Sequence, residues 1–310
     1  MVLIKSFGGG GGGGTATNGY FAGGLTGSTD FTTADKIVFS SGVTSASTDS
    51  DLSAAMQHPA AISDLATNGY FIGGNNQAAP QVTGNKLVFS TDITSANTDS
   101  NTSVARGALI GISDGSTNGY AVGGSGSVVG DRLVFSSGVA SAFTDSNLTT
   151  ATGALTSVSD GSTNGYFLGG LTGALTVVGE RIVFSTGTTN AFTDSDLSVA
   201  KRDMASVSDG STNGYMLGGD SGAITLTAER IVFSTGVTSA YTDSNLPVSI
   251  SLQGSSADGG ANGYLAGGNT GADVADTVKL VFSTEVATAN TDSDLSAARR
   301  NLSGLSDGSV

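Results

Sequence analysis

Short apolar runs punctuated by glycine, serine, threonine and asparagine recur along the whole chain. Tyr166-Phe167-Leu168 stops at Gly169-Gly170, and Ile182-Val183-Phe184 follows the charged pair Glu180-Arg181. Such runs, short and rich in β-branched and aromatic residues, predict strands rather than helices. Between the runs lie small polar stretches, such as D-G-S-T-N-G over residues 160–165 and nearly the same over 209–214. Here Asn-Gly predicts a tight hairpin turn that uses positive φ. The paired glycines predict a strand end that turns sharply or approaches a neighbour closely, where a Cβ would obstruct.

The pattern is periodic. Asn-Gly-Tyr followed by Gly-Gly occurs six times, with tyrosines at 20, 70, 120, 166, 215 and 264, at spacings of 50, 50, 46, 49 and 49 residues. A cation and then [IL]-V-F-S forms a second marker. It places Lys36, Lys86, Arg132, Arg181, Arg230 and Lys279 ahead of Phe39, Phe89, Phe135, Phe184, Phe233 and Phe282. The third marker, A-x-T-D-S-[DN], carries Asp49, Asp99, Asp145, Asp194, Asp243 and Asp292. A period of this length with several strands per unit predicts propeller blades, since one coil of a β-solenoid is much shorter.

The expected fold is therefore all-β, a six-bladed β-propeller with four antiparallel strands per blade and about 24 strands. In the fourth blade strand a is expected over residues 154–159, b over 165–168, c over 182–185, and d around 191–193. The six phenylalanines of strand c are expected between blades. The first repeat begins at strand b and the chain stops after a sixth strand a, so residues 301–306 should complete the first blade. Two segments follow, a Gly-rich N-terminal tether over residues 1–16 and the propeller over 17–310. Residues 2–7 could otherwise add a strand, and this stretch lacks the apolar core of a secretory signal.

Composition changes the picture mainly by exclusion. With 48 glycines, 12% charged residues and 38% hydrophobic ones in 310 residues, the chain can bury a large core. A net charge of −14 argues against nucleic acid and anionic membranes, and no apolar segment of eighteen residues predicts membrane insertion. No cysteine is present, so disulfides and thiolate metal sites are ruled out.

The repeat resembles the kelch repeat, in which a double glycine follows an apolar strand b, a tyrosine lies nearby, and a basic residue stands upstream of strand a. Arg106, Lys201 with Arg202, and Arg299 with Arg300 occupy that last place, and the other three blades have no cation there. The tryptophan usual in strand d of kelch blades is absent. In its Thr/Ser/Gly-rich style the chain looks like kelch-like propellers encoded in bacteriophage and bacterial genomes, among them virion components.

Candidate chemistry is sparse. His58, the single histidine, is read as part of the first blade, with no evident partner for a base or metal ligand. A copper site like that of galactose oxidase, a kelch-fold enzyme, needs two histidines and a cysteine-modified tyrosine. In the T-D-S-[DN] turns, Asp49 with Asp51, Asp194 with Asp196 and Asp292 with Asp294 offer paired oxygens for calcium, but each Asp is expected simply to cap its turn. S-D-G-S-T lacks the spacing and aromatic end of a sialidase Asp box. The six cations before strand c make up half the Lys and Arg of the chain, and are read as a structural ring that could instead grip an anion.

No catalytic or metal-binding residue and no cofactor is therefore assigned, and the ligand site stays open. The expectation is a non-enzymatic structural or interaction module. By its resemblance it would be a phage virion component of tail, tail fibre or capsid surface, located on the virion or otherwise extracellular. Its partners would be other virion or assembly proteins, or a host-surface glycan, with homo-oligomerisation left open. A lectin-like glycan-binding propeller is the alternative, followed by a polysaccharide-acting enzyme.

Overall fold

A computed structural model describes residues 16–77 and 79–308; the tether assigned to residues 1–16 lies, but for Ala16, outside them. Six four-stranded antiparallel sheets, each ordered a-b-c-d from the axis outward, are arranged around one axis. In blade 4 the strands are Thr156–Ser159, Asn164–Leu168, Gly179–Val183 and Thr188–Ala191. Strands c and d thus begin a few residues earlier than expected. T-D-S itself forms a single 3-10 turn after strand d in every blade. Two further two-stranded hairpins rise from the b–c loops of blades 1 and 2.

Strand a of the first blade is Ser303–Ser306, paired with Asn18–Ala22 in the register Gly19↔Ser306 to Ala22↔Ser303. The two ends of the chain therefore close the ring. The a–b turn is rebuilt across the same junction. Asp307 Oδ1 accepts from the N–H groups of Thr17 and Asn18, both at 2.7 Å, as Asp160 accepts from Thr163 and Asn164 within one turn.

The a–b turn differs from expectation in one respect. The positive φ falls on the residue after Asp, Gly161 (φ 76°) in blade 4, and Asn164-Gly165 already begins strand b. Gly165 is required for packing, because a Cβ there would overlap Ile112 Cδ1 from strand a of the preceding blade. Ile62 meets Gly119, Val158 meets Gly214, and Val207 meets Gly263 in the same way. Gly169 and Gly170 have positive φ as well, and a Cβ on either would run into backbone carbonyls of the neighbouring segments.

Each core cluster spans two blades. The strand-b tyrosine stacks on the phenylalanine of the next blade all round the ring, as Tyr20–Phe89, Tyr70–Phe135, Tyr120–Phe184, Tyr166–Phe233, Tyr215–Phe282 and Tyr264–Phe39. Centroid separations run from 5.5 to 6.2 Å, the offset geometry favoured by the ring quadrupole. Five of the phenylalanines are buried and Phe89 is partly so. Nearer the axis, serine hydroxyls tie adjacent a strands together. Ser63 donates to Ser306 O at 2.8 Å, Ser206 to Ser157 O at 2.7 Å, and Ser157 to Gly111 O at 2.8 Å. These bonds satisfy carbonyls on the axial edge of strand a, which has no sheet partner there.

Candidate functional site

Strands a of all six blades surround an axial cavity of about 170 Å³. That is close to the engineered apolar cavities of about 150 Å³ that admit one benzene-sized molecule. Its wall mixes small and aliphatic side chains, among them Ile112, Val158 and Val207, with the serines described above.

At one end of the cavity the connection entering each strand a contributes one residue in the left-handed region: His58, Ala108, Ala154, Asp203, Leu252 and Asn301, with φ between 51° and 62°. Their peptides are joined head to tail around the axis. His58 N–H donates to Asn301 O at 2.7 Å, Asn301 to Leu252 at 2.9 Å, Leu252 to Asp203 at 3.0 Å, Asp203 to Ala154 at 3.1 Å and Ala154 to Ala108 at 3.1 Å. Left-handed backbone without glycine costs on the order of 1 kcal/mol or more per residue, and this hydrogen-bonded necklace offsets it. The b–c loops lie at the same end, bridged to these connections at Gly153↔Leu171, Arg202↔Asp220 and Ser251↔Asn269.

His58 thus sits in the connection into the second blade, rather than inside the first. It is half-buried, and burial pushes its imidazole pKa down to about 4, against a hydrogen bond with Asn301. Asp203 is pushed the other way, up to about 6, by burial, with Arg202 opposing. The two are three places apart in a six-membered necklace. Ala108 and Ala154 separate them on one side, Leu252 and Asn301 on the other, so they form no acid–base pair.

The other sequence candidates are engaged elsewhere. In the T-D-S-[DN] turns the expected capping is made by the second residue and not by the first. Asp51 accepts from Ala34 N–H at 2.8 Å, Asn101 from Gly84 at 2.8 Å and Asp196 from Gly179 at 2.7 Å. A single Oδ1 suffices, which is why Asp and Asn interchange there. The first Asp of each turn is exposed. Among the described residues no group of three metal-ligating side chains converges.

The cations upstream of strand a are buried in ion pairs with strand c of the next blade. Arg106 meets Asp131, Arg299 Nη1 lies 2.8 Å from Asp35 Oδ2, and Lys201 Nζ lies 3.5 Å from Glu229 Oε1. Blades without the cation change the partner. Where Met56 replaces the cation, Asn85 replaces the acid and accepts from Ser53 N–H at 2.9 Å, and Ile250 and Val278 share one apolar cluster. Where Thr152 replaces the cation, Glu180 keeps the bonds from Thr149 and Thr150 N–H, at 2.7 and 3.1 Å, that Glu229 also receives from Ser198 and Val199 beside Lys201. This paired substitution escapes a search for local motifs, because its two members lie about 25 to 30 residues apart in the chain.

The cations expected before strand c lie within it and form a ring, one per blade, each over an aromatic face. Lys36, Lys86 and Lys279 lie 5.7 to 6.0 Å from Tyr20, Tyr70 and Tyr264, and Arg132, Arg181 and Arg230 lie 4.0 to 4.1 Å from Phe143, Phe192 and Tyr241. No protein-family model matches the sequence, and no curated protein is significantly similar to it.

Proposed function

We propose that this chain is a non-enzymatic interaction module whose rigid ring presents variable loops to a partner. The observation that carries this reading is where the repeated polar chemistry goes. The Asp of each a–b turn, the second Asx of each T-D-S turn and the buried cations of three blades are consumed in bonds within the scaffold. What differs from blade to blade is concentrated at the necklace end, in the b–c loops. Those loops read S-G-S-V-V over 125–129, L-T-G-A-L-T-V-V over 171–178 and D-S-G-A-I-T-L-T over 220–227. A constant scaffold with variable loops at one end suits recognition.

The kelch-like repeat and its phage-like style support placing the module on a virion, against neighbouring virion subunits or a host surface. Glycan binding at repeated positions is the second reading. A glycan array and binding to host-cell envelopes, with purified protein, test both. Binding without turnover, lost on exchanging the 171–178 and 220–227 loops for glycine-serine segments, is the expected result. Release of oligosaccharides from any polysaccharide would overturn the non-enzymatic reading.

A further inference from the structure

Two of the six niches between blades hold an acid of the chain itself. Asp92, at the c–d turn of blade 2 with φ 58°, accepts from Tyr20 Oη at 2.5 Å and pairs with Lys36 Nζ at 2.7 Å. Glu285, at the same turn of blade 6 with φ 57°, accepts from Tyr215 Oη at 2.7 Å and from Arg230 Nη1 at 2.9 Å. A tyrosine hydroxyl and a cation thus converge on one carboxylate in both.

Two other niches keep the tyrosine and the lysine but have glycine where the acid stands. In one, Lys86 lies over Tyr70 as Lys36 lies over Tyr20, and the turn residue is Gly138. A Cβ on Gly138 would stand 3.4 Å from Tyr70 Oη and 4.0 Å from Asn97 Nδ2. Tyr70 is fully buried and its hydroxyl has no hydrogen-bond partner, an arrangement that is unfavourable unless something accepts from it. In the other niche Lys279 lies 5.8 Å from the Tyr264 ring, and a Cβ on Gly42 would stand 3.9 Å from Tyr264 Oη. Neither lysine is in an ion pair among the described residues.

We propose that the Tyr70–Lys86–Gly138 and Tyr264–Lys279–Gly42 niches are binding sites for a ligand carboxylate, which takes the place that the Asp92 side chain takes beside Tyr20 and Lys36. The tyrosine hydroxyl donates to one oxygen and the ammonium pairs with the other. Glycine at the turn takes away the side chain that fills this place in the Asp92 niche. Asp64 is the acidic group that acts on Tyr70, and Asp258 the one that acts on Tyr264. Both opposing charges belong to a–b turns, where backbone N–H groups hold them.

The full chain is titrated at constant ionic strength with sodium acetate and with sodium glucuronate, chloride serving as the reference salt, and followed by the chemical shifts of labelled tyrosine and lysine, so that Lys86 and Lys279 report on each niche when its tyrosine is replaced. Saturable shifts of Tyr70 and Tyr264, with millimolar midpoints, are expected for at least one of the two. Glucuronate at least tenfold tighter than acetate identifies an acidic sugar as the source of the group; equal affinities identify a bare carboxylate. Tyr70→Phe removes a hydroxyl that bonds to nothing, so it folds as the parent does, and it weakens binding at its own niche at least fivefold. Gly138→Asp supplies the acid and abolishes binding there. No saturable shift up to 100 mM of either salt, or shifts unchanged by Tyr70→Phe and Gly138→Asp, overturns the proposal.

Discussion

Individual side chains of the necklace and the blade junctions set how stability responds to pH and to substitution. Asp203 has a raised pKa in the fold, so the folded chain holds its proton more tightly than the unfolded chain. Stability contributed at this site is greatest at acid pH, and falls as pH rises from about 4 to 6. Asp203→Asn should stabilise the protein at pH 7 by up to about 3 kcal/mol, with the gain gone near pH 4. His58 acts in the opposite sense. Its pKa is depressed to about 4, so stability is lost as pH falls from about 6.5 to 4, and His58→Gln should remove that loss. Thermal midpoints should therefore rise above the parent's near pH 7 for Asp203→Asn and near pH 4 for His58→Gln. At the blade junction, Arg106→Met leaves the Asp131 carboxylate buried without its cation. It should cost about 3–5 kcal/mol by denaturant titration. Arg106→Ile with Asp131→Val copies the Ile250 and Val278 of blade 6, and should recover most of that loss.

The blade interface is the element that holds the molecule together, and its strength lies in aromatic stacking and in knobs set over glycines. Phe184 is 5% exposed and stacks on Tyr120 with ring planes 15° apart. Phe184→Ala should cost about 3–5 kcal/mol in urea unfolding, and a cost below 1 kcal/mol would show that the ring carries no interface. The sequence showed these six phenylalanines as a periodic set, and their place between blades follows from alternation along strand c. The glycine of Asn-Gly-Tyr was harder to read. A glycine after asparagine points locally to a turn, whereas Gly165 is extended and lacks a Cβ because Ile112 of another blade fills that volume. Local sequence cannot carry that information, since the reason lies about fifty residues away.

Closure governs the whole molecule. Residues 303–306 supply the inner strand of the first blade, and Asp307 supplies its turn. Removing residues 301–310 exposes the edge of Asn18–Ala22, takes His58 N–H from its carbonyl partner, and opens the Tyr20 cluster, which includes Leu305. The truncated chain should aggregate and lose its cooperative thermal transition, as followed by circular dichroism and light scattering. A soluble truncation of unchanged midpoint would sink the account of closure.

The amino-acid sequence by itself determined the number of blades, their strands and the partner of the first strand. Those properties follow from periodicity and from alternation between neighbouring residues. Only the tertiary structure decided the necklace around the axis and the exchange of ion pairs for apolar pairs between blades. His58, Ala108, Ala154, Asp203, Leu252 and Asn301 share no side-chain chemistry. What they share is a backbone conformation imposed by six connections of the chain meeting on one axis, and a side-chain pattern does not encode a constraint that acts on the peptide alone.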